Sequence, residues 1–298
     1  MKKVFLIGTL PNLNDEKNLI EMINHPSIDA YRFNSGVNQL MSIDEIIKIL
    51  KQIQEVTKKK VWIDLKGRQL RITSWANPTY EAIELNHEIE IEYPAKVLFR
   101  DGHTSEIIRC RKNKILLDRS PFHALGKGQS INIKAKSLEI KDYLTEEDKE
   151  LLRLSEKYGI NTFMASFIEE IDDLIEILRI NPKAQIISKI ETLKGIEFAL
   201  NELTKINIMV GRDDLYTNLE NSYLIIKYLK ELIKKDQNAI CASKIFTSLE
   251  RSDEIDLKDY EDLELMYQYG YKTFMLQDDL KGPKLIKALN SWENFKNG

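Results

Sequence analysis

QIISKIE at residues 185–191 and INIMVGRDD at residues 206–214 are the stretches that decide the fold. Each is a short apolar run ending in charge, the pattern of a buried parallel strand that opens onto a polar rim. Side chains alternate faces along a strand, so Lys189 and Glu191 point the same way. Asp214 brings a second carboxylate from the next strand end. A cation beside two carboxylates can hold a hard divalent ion next to a fixed positive charge, which suits chemistry on a phosphate or an enolate.

The same rhythm extends in both directions. Upstream, apolar runs at 4–7, 30–33 and 60–64 predict strands, separated by helices over 16–23 and from Ser42 to about Val56. The second of these helices opens on Ser42 and Glu45, a capping-box pair. Downstream, strands at 162–165, 185–190, 206–210, 239–242 and 272–276 alternate with helices over 145–158, 168–180, 193–203, 222–234, 261–269 and 283–291. About eight strands, each followed by a helix, predict an α/β (β/α)₈ TIM barrel with its site at the C-terminal strand ends. Between about Arg68 and Ser137 the period shortens to two and turn residues multiply, which predicts a small β domain inserted after strand three. The expected domains are therefore a barrel over 1–67 and 138–298 and an inserted β-rich lid over 68–137.

Composition narrows the function class. The 298 residues are 43% hydrophobic and 31% charged, with a net charge of −3. Such a chain presents no global basic field for nucleic acid or an anionic membrane, so any phosphate site must be local. No run of 18 apolar residues and no secretory h-region occurs, and the two cysteines, Cys110 and Cys241, sit in apolar runs as buried thiols, so a cytoplasmic protein is expected. The strand-end rule selects Arg32, Asn34, Asp64, Lys66, Ser166, Lys189, Glu191, Arg212 to Asp214, Ser243, Lys244 and Gln277 to Asp279 as site candidates.

In order along the chain, IGTLPNL, YRFNSG, IDLKGRQLRI, YLTEED, FMASFI, IISKIETLKG, IMVGRDDL and ICAS resemble segments of the pyruvate kinase family. The resemblance implies transfer of a phosphoryl group between phosphoenolpyruvate (or a related enol phosphate), leaving pyruvate, and ADP/ATP. That is the glycolytic, Mg²⁺- or Mn²⁺-dependent kinase chemistry classed with alcohol-group acceptors, and closure of the lid would exclude water. It assigns Glu191 and Asp214 as divalent-metal ligands, and Lys189 as the stabiliser of the phosphoryl group and the enolate. Arg32 becomes the phosphoryl contact and Ser243 the hydroxyl beside the substrate carboxylate, while Gly211, Asp213 and Asp214 line the substrate. Pro11, Asn34, Arg71 and Lys127 become nucleotide contacts.

Some positions depart from the family pattern. Asp213 replaces a glycine and Lys244 a glutamine, and the two are expected to pair across neighbouring strand ends. Leu65 replaces a threonine that helps hold a monovalent cation in many members, which leaves Asn34, Ser35 and Asp64 as a partial site and argues against a K⁺ requirement. Gln277-Asp278-Asp279 replaces Ser-Gly-Glu, and no regulatory domain is expected after the eighth helix. A homo-oligomer is compatible with this reading. The alternatives are a metal-dependent lyase or aldolase working through a pyruvate enolate, and a non-catalytic phosphoenolpyruvate-binding protein.

Overall fold

A computed structural model describes residues 2–36, 41–74, 82–99, 102–119, 126–135, 137–203, 207–219, 221–278 and 280–298. The chain divides into two compact units, Met1–Leu65 with Glu150–Gly298, and Lys66–Lys149.

The first unit begins with β1 (Phe5–Thr9), α1 (Glu16–Ile23), β2 (Ala30–Asn34), α2 (Ile43–Thr57) and β3 (Val61–Leu65). The second contains β4 (Ile83–Glu84), β5 (Ile89–Glu90), β6 (Ala95–Phe99), β7 (Thr104–Arg111), β8 (Lys114–Leu117), β9 (Ile131–Lys134) and β10 (Glu139–Ile140). After α3 (Glu146–Tyr158) come β11 (Thr162–Ala165), α4 (Ile171–Ile180), β12 (Gln185–Ile190), α5 (Leu193–Asn201), β13 (Asn207–Gly211) and α6 (Arg212–Asn218). The chain ends with α7 (Ile225–Lys235), β14 (Ile240–Ala242), α8 (Ser248–Arg251), α9 (Leu257–Tyr269), β15 (Thr273–Met275) and α10 (Pro283–Asn297).

Eight parallel strands close in the order β1-β15-β14-β13-β12-β11-β3-β2, a TIM barrel. Local chemistry starts its helices where they are needed. At α2 the Ser42 hydroxyl accepts from the Glu45 amide, and Glu45 accepts from the Ser42 amide at 2.9 Å. Such a cap contributes about 1 kcal/mol. The face that follows, Ile46, Ile47, Leu50 and Ile53, is buried.

The barrel interior has two layers. The lower is apolar: Ile7, Trp62, Met164, Ile187, Met209, Ile240, Ala242 and Met275 pack together with Ala30 against them. Because side chains alternate, the inward position two residues further on carries Thr9, Arg32, Asp64, Ser166, Lys189, Gly211 and Gln277. The polar rim is therefore the next storey of the same packed column. At the last helix, Phe274 meets Trp292 edge-on at 5.4 Å, and the Lys2 backbone amide donates to the Lys296 carbonyl at 2.7 Å, which ties the segment before β1 to α10. Among the described residues no helix is long and apolar enough to cross a membrane.

The inserted unit is an antiparallel sheet in the order β4-β8-β7-β6-β9 beside a small β10-β5 pair, over a core that includes Leu70, Ile72, Val97, Phe99, Ile107 and Ile115. It extends beyond the 68–137 span expected from periodicity, because β10 pairs with β5 and Asp148 joins the unit's two ends. The buried Asp148 carboxylate accepts from the Lys66 amide at 2.9 Å, the Gly67 amide at 3.2 Å and the Thr145 hydroxyl at 2.8 Å. Two short helices of the first unit, α6 and α8, were not expected from the spacing, and α9 starts at Leu257 rather than 261. Ile206, the expected start of the strand that becomes β13, lies outside the described residues.

Candidate active site

Arg32, Asp64, Ser166 and Lys189 come from four adjacent strands and form one buried cluster. Arg32 Nε donates to Asp64 Oδ2 at 2.8 Å and Nη2 reaches the same oxygen. Lys189 Nζ lies 3.3 Å from Asp64 Oδ1, 2.8 Å from Ser166 Oγ and 3.2 Å from Glu191 Oε1. The Ser166 hydroxyl in turn donates to Asp64 Oδ1 at 3.2 Å. Burial opposes charge on Lys189, but Asp64 and Glu191 outweigh it and raise the ammonium pKa. Burial likewise opposes charge on Arg32, where Asp278 and Asp64 overcome it. Asp64 would be pushed up by its own desolvation, yet Arg32 and Lys189 hold it below the ordinary aspartate value of 3.8.

Glu191, at 1% exposure, is fixed from a second side by the Phe167 amide, which donates to Oε2 at 2.9 Å. Gly211 makes room for it. A Cβ at that position would stand 2.8 Å from Glu191 Oε1, closer than side chains approach, so any larger residue here would force Glu191 to shift. Immediately beyond, α6 begins with no intervening loop and places Asp213 and Asp214 in its first turn, where carboxylates favour the helix dipole. The charge of Asp214, from the first turn of α6, adds to those of Asp64 and Glu191 in favouring the Lys189 ammonium.

At the end of β14 the backbone is strained. Ser243, Lys244 and Phe246 have φ of 64°, 57° and 55°, left-handed values that cost non-glycine residues about 1 kcal/mol or more each. Arg212 secures this turn. Its guanidinium forks onto Asp262 of α9 at 2.7 and 2.9 Å, and its Nε donates to the Ser243 carbonyl at 3.1 Å. Lys244 forms an ion pair with Asp213, so the pairing expected from the sequence is present.

The remaining candidates divide between the two units. Asn34 and Ser35 lie beside Asp64, with Asn34 opposite it in register and the Ser35 hydroxyl donating to its carbonyl. The Asn34 amide and the Asp64 carboxylate are nevertheless engaged by other side chains, Asp278 and the two cations respectively. Pro11 is half-buried in the loop after β1. Arg71 and Lys127 belong to the inserted unit, where Arg71 bridges to Ser130 and donates to the Gly128 carbonyl at 2.7 Å, next to the exposed Lys127. Lys66, also in that unit, pairs with Glu147. Asp279 lies outside the described residues.

Asp278 is one of the candidates whose role the sequence left unassigned. Following β15, it binds Arg32 Nη1 through one oxygen and the Asn34 amide through the other. Its position after an apolar run was the available signal. Its partners become visible only once closure places β15 beside β1, with β2 next in line.

Comparison with known proteins bears on this constellation. A family model described as the pyruvate kinase barrel domain matches residues 90–263, more than half of the chain. The chain belongs to the pyruvate kinase family. Pyruvate kinase of Borreliella burgdorferi is 24% identical over 254 residues, covering 76% of this chain and 52% of the relative. That of Lactobacillus delbrueckii subsp. bulgaricus is 23% identical over 279 residues, with 80% and 46% covered, and that of Thermotoga maritima is 23% identical over 265, with 78% and 56% covered. The chain thus spans about half the length of these pyruvate kinases.

A divalent cation, which the pyruvate kinase family generally uses, can be tested against the donors present. Among the described residues no group of three or more His, Cys, Asp or Glu side chains could hold a metal ion by itself. Glu191 and Asp214 nevertheless suit Mg²⁺, which is commonly held by one or two carboxylates together with substrate oxygens and water. Charge agrees with this. The two cations Arg32 and Lys189 stand among four carboxylates, Asp64, Glu191, Asp214 and Asp278, leaving an excess of two negative charges.

Proposed function

We propose that this chain is a phosphotransferase of pyruvate kinase type, moving a phosphoryl group between phosphoenolpyruvate, or a closely related enol phosphate, and ADP. The observation that carries the reading is the buried Lys189, held among Asp64, Ser166 and Glu191, with Arg32 sharing Asp64. In the direction of ATP synthesis the bond between phosphorus and the enol oxygen breaks, a bond to the terminal ADP oxygen forms, and the enolate takes up a proton to give pyruvate. Such transfer needs placement and charge neutralisation rather than a protein nucleophile.

The Lys189 ammonium stabilises charge on the moving phosphoryl group and on the enolate oxygen. Arg32 holds phosphoryl oxygens. Ser243 offers a hydroxyl to the substrate carboxylate or to a water that delivers the proton. Glu191 and Asp214 would hold Mg²⁺ or Mn²⁺, which when bound neutralises charge on substrate oxygens. Pro11 and Asn34 in the barrel unit, and Arg71 and Lys127 in the inserted unit, are the candidate nucleotide contacts. The commitments of Asn34, Ser35 and Asp64 support turnover without K⁺.

The test is to mix the purified protein with phosphoenolpyruvate, ADP and Mg²⁺ or Mn²⁺, with and without K⁺, and follow pyruvate and ATP. Turnover that Lys189→Met abolishes supports the reading; intact binding of phosphoenolpyruvate with no turnover overturns it. A second reading, a lyase acting through a pyruvate enolate, is favoured by one observation: Asp278 already occupies donors of Arg32 and Asn34. That enzyme would keep Lys189, Glu191 and Asp214 and cleave a 4-hydroxy-2-keto acid.

A further inference from the structure

The donors that would receive a phosphate are not waiting for one. Arg32 Nη1 and the Asn34 side-chain amide both point at Asp278, which meets them with its two carboxylate oxygens. A carboxylate bridging a guanidinium and an amide reproduces one edge of a phosphate, with the same charge-assisted donors and two oxygens. The other side of Arg32, through Nε and Nη2, is held by the buried Asp64, an anchor separate from whichever anion sits at Nη1. Asp278 is different: a third of its side chain is exposed, and it follows the last barrel strand rather than standing within it. Asp64, by contrast, stands within β3 with 5% of its side chain exposed.

We infer that Asp278 is a built-in competitor for the phosphate subsite, an internal anion that a phosphate-bearing ligand must displace from Arg32 and Asn34. The inference rests on the assignment of Arg32 as a phosphate ligand under the proposed function. Its consequence is selectivity. A dianionic phosphate can outbid a single carboxylate at a guanidinium, while a monoanionic ligand gains little by the exchange. In population terms, a site that is self-occupied for about nine-tenths of the time weakens apparent phosphate affinity about tenfold, a penalty that removing the competitor abolishes.

Calorimetric titration of the full chain with inorganic phosphate, and separately with pyruvate, tests this in wild type, Asp278→Asn and Asp278→Ser. Phosphate affinity should rise about tenfold in both variants, while pyruvate affinity changes by no more than about twofold. Equal gains for both anions would mean that Asp278 acts only through its bulk charge, and unchanged or weaker phosphate binding would mean that it merely supports Arg32; either result overturns the inference. Should the variants fail to fold, the wild-type protein still decides. The NMR signal of the Asn34 side-chain amide must move as phosphate is titrated, and an unmoved signal at saturation rejects displacement. Tighter phosphate binding in the variants, without turnover of phosphoenolpyruvate and ADP in any form of the protein, would leave the competitor standing and remove the phosphotransferase reading instead.

Discussion

At the ends of β2, β3 and β12 the charged side chains Arg32, Asp64, Lys189 and Glu191 are buried and bonded to one another, whereas at the ends of β13 and β14 Asp213 and Lys244 meet with 48% and 51% of their side chains exposed. In the first region each ion is held by several partners, so removing one leaves the others uncompensated in a low-dielectric interior. In the second, a single ion pair in contact with water holds itself with little energy at stake. Two of the departures from the pyruvate kinase pattern, Asp213 and Lys244, fall in the tolerant region. Substitutions at these two exposed positions leave the hydrogen bonds of the buried cluster untouched.

Lys189→Met should break the comparison hardest. If the buried cluster carries the chemistry, phosphoryl transfer falls by about 10³-fold, the loss expected when a preorganised charge aimed at the reacting group is deleted. Steady-state kinetics against wild type would show it in kcat.

Asp64→Asn comes next and is read in stability. It removes the carboxylate shared by Arg32 and Lys189 and should cost about 3 kcal/mol in a denaturant titration near neutral pH. The pH dependence has a definite sign. Because the folded pKa of Asp64 lies below the ordinary 3.8, its ionised form stabilises the fold at pH values above that number, and the contribution fades as pH falls through the lower folded value. The gap between wild type and variant should therefore close in acid.

Gly211→Ala sharpens the boundary between the regions, since Gly211 ends β13 yet contacts Glu191 of the buried cluster. A Cβ 2.8 Å from Glu191 Oε1 forces a shift of a side chain that has little space to move, at about 2 kcal/mol. Thermal unfolding would register this, and titration with Mn²⁺ should show weakened divalent binding.

The smallest effect belongs to the tolerant region. A double-mutant cycle of Asp213→Gly and Lys244→Gln should give a coupling energy below about 1 kcal/mol. A value of several kcal/mol would place this pair with the buried cluster and erase the contrast.

The barrel was legible because its cause is local. Ile187, Lys189 and Glu191 share a face by strand geometry alone, and Ser42 with Glu45 announces a helix start within four residues. What stayed hidden depends on distant closure or on elements too short to show a period. The four residues of α8 make about one turn, and α6 follows Gly211 without a loop. Asp278 meets Arg32 and Asn34 across more than 240 positions of sequence, a pairing that no window of the chain contains. The end of the inserted unit was missed for the same reason, because Asp148 reports on Lys66 and Gly67 only after the fold has brought them together.

That last contact also bears on how the chain is assembled. The bond between the Lys66 amide and Asp148 spans 82 positions, so the conformational freedom of everything between them is curtailed by one buried carboxylate. Loop-closure entropy grows only logarithmically with length, which means lengthening or shortening the segment between these two anchors barely alters the cost of joining them. The insertion is in this sense modular. Its length can change at little entropic cost while the clasp of Asp148 with Lys66, Gly67 and Thr145 keeps the two ends of the excursion together.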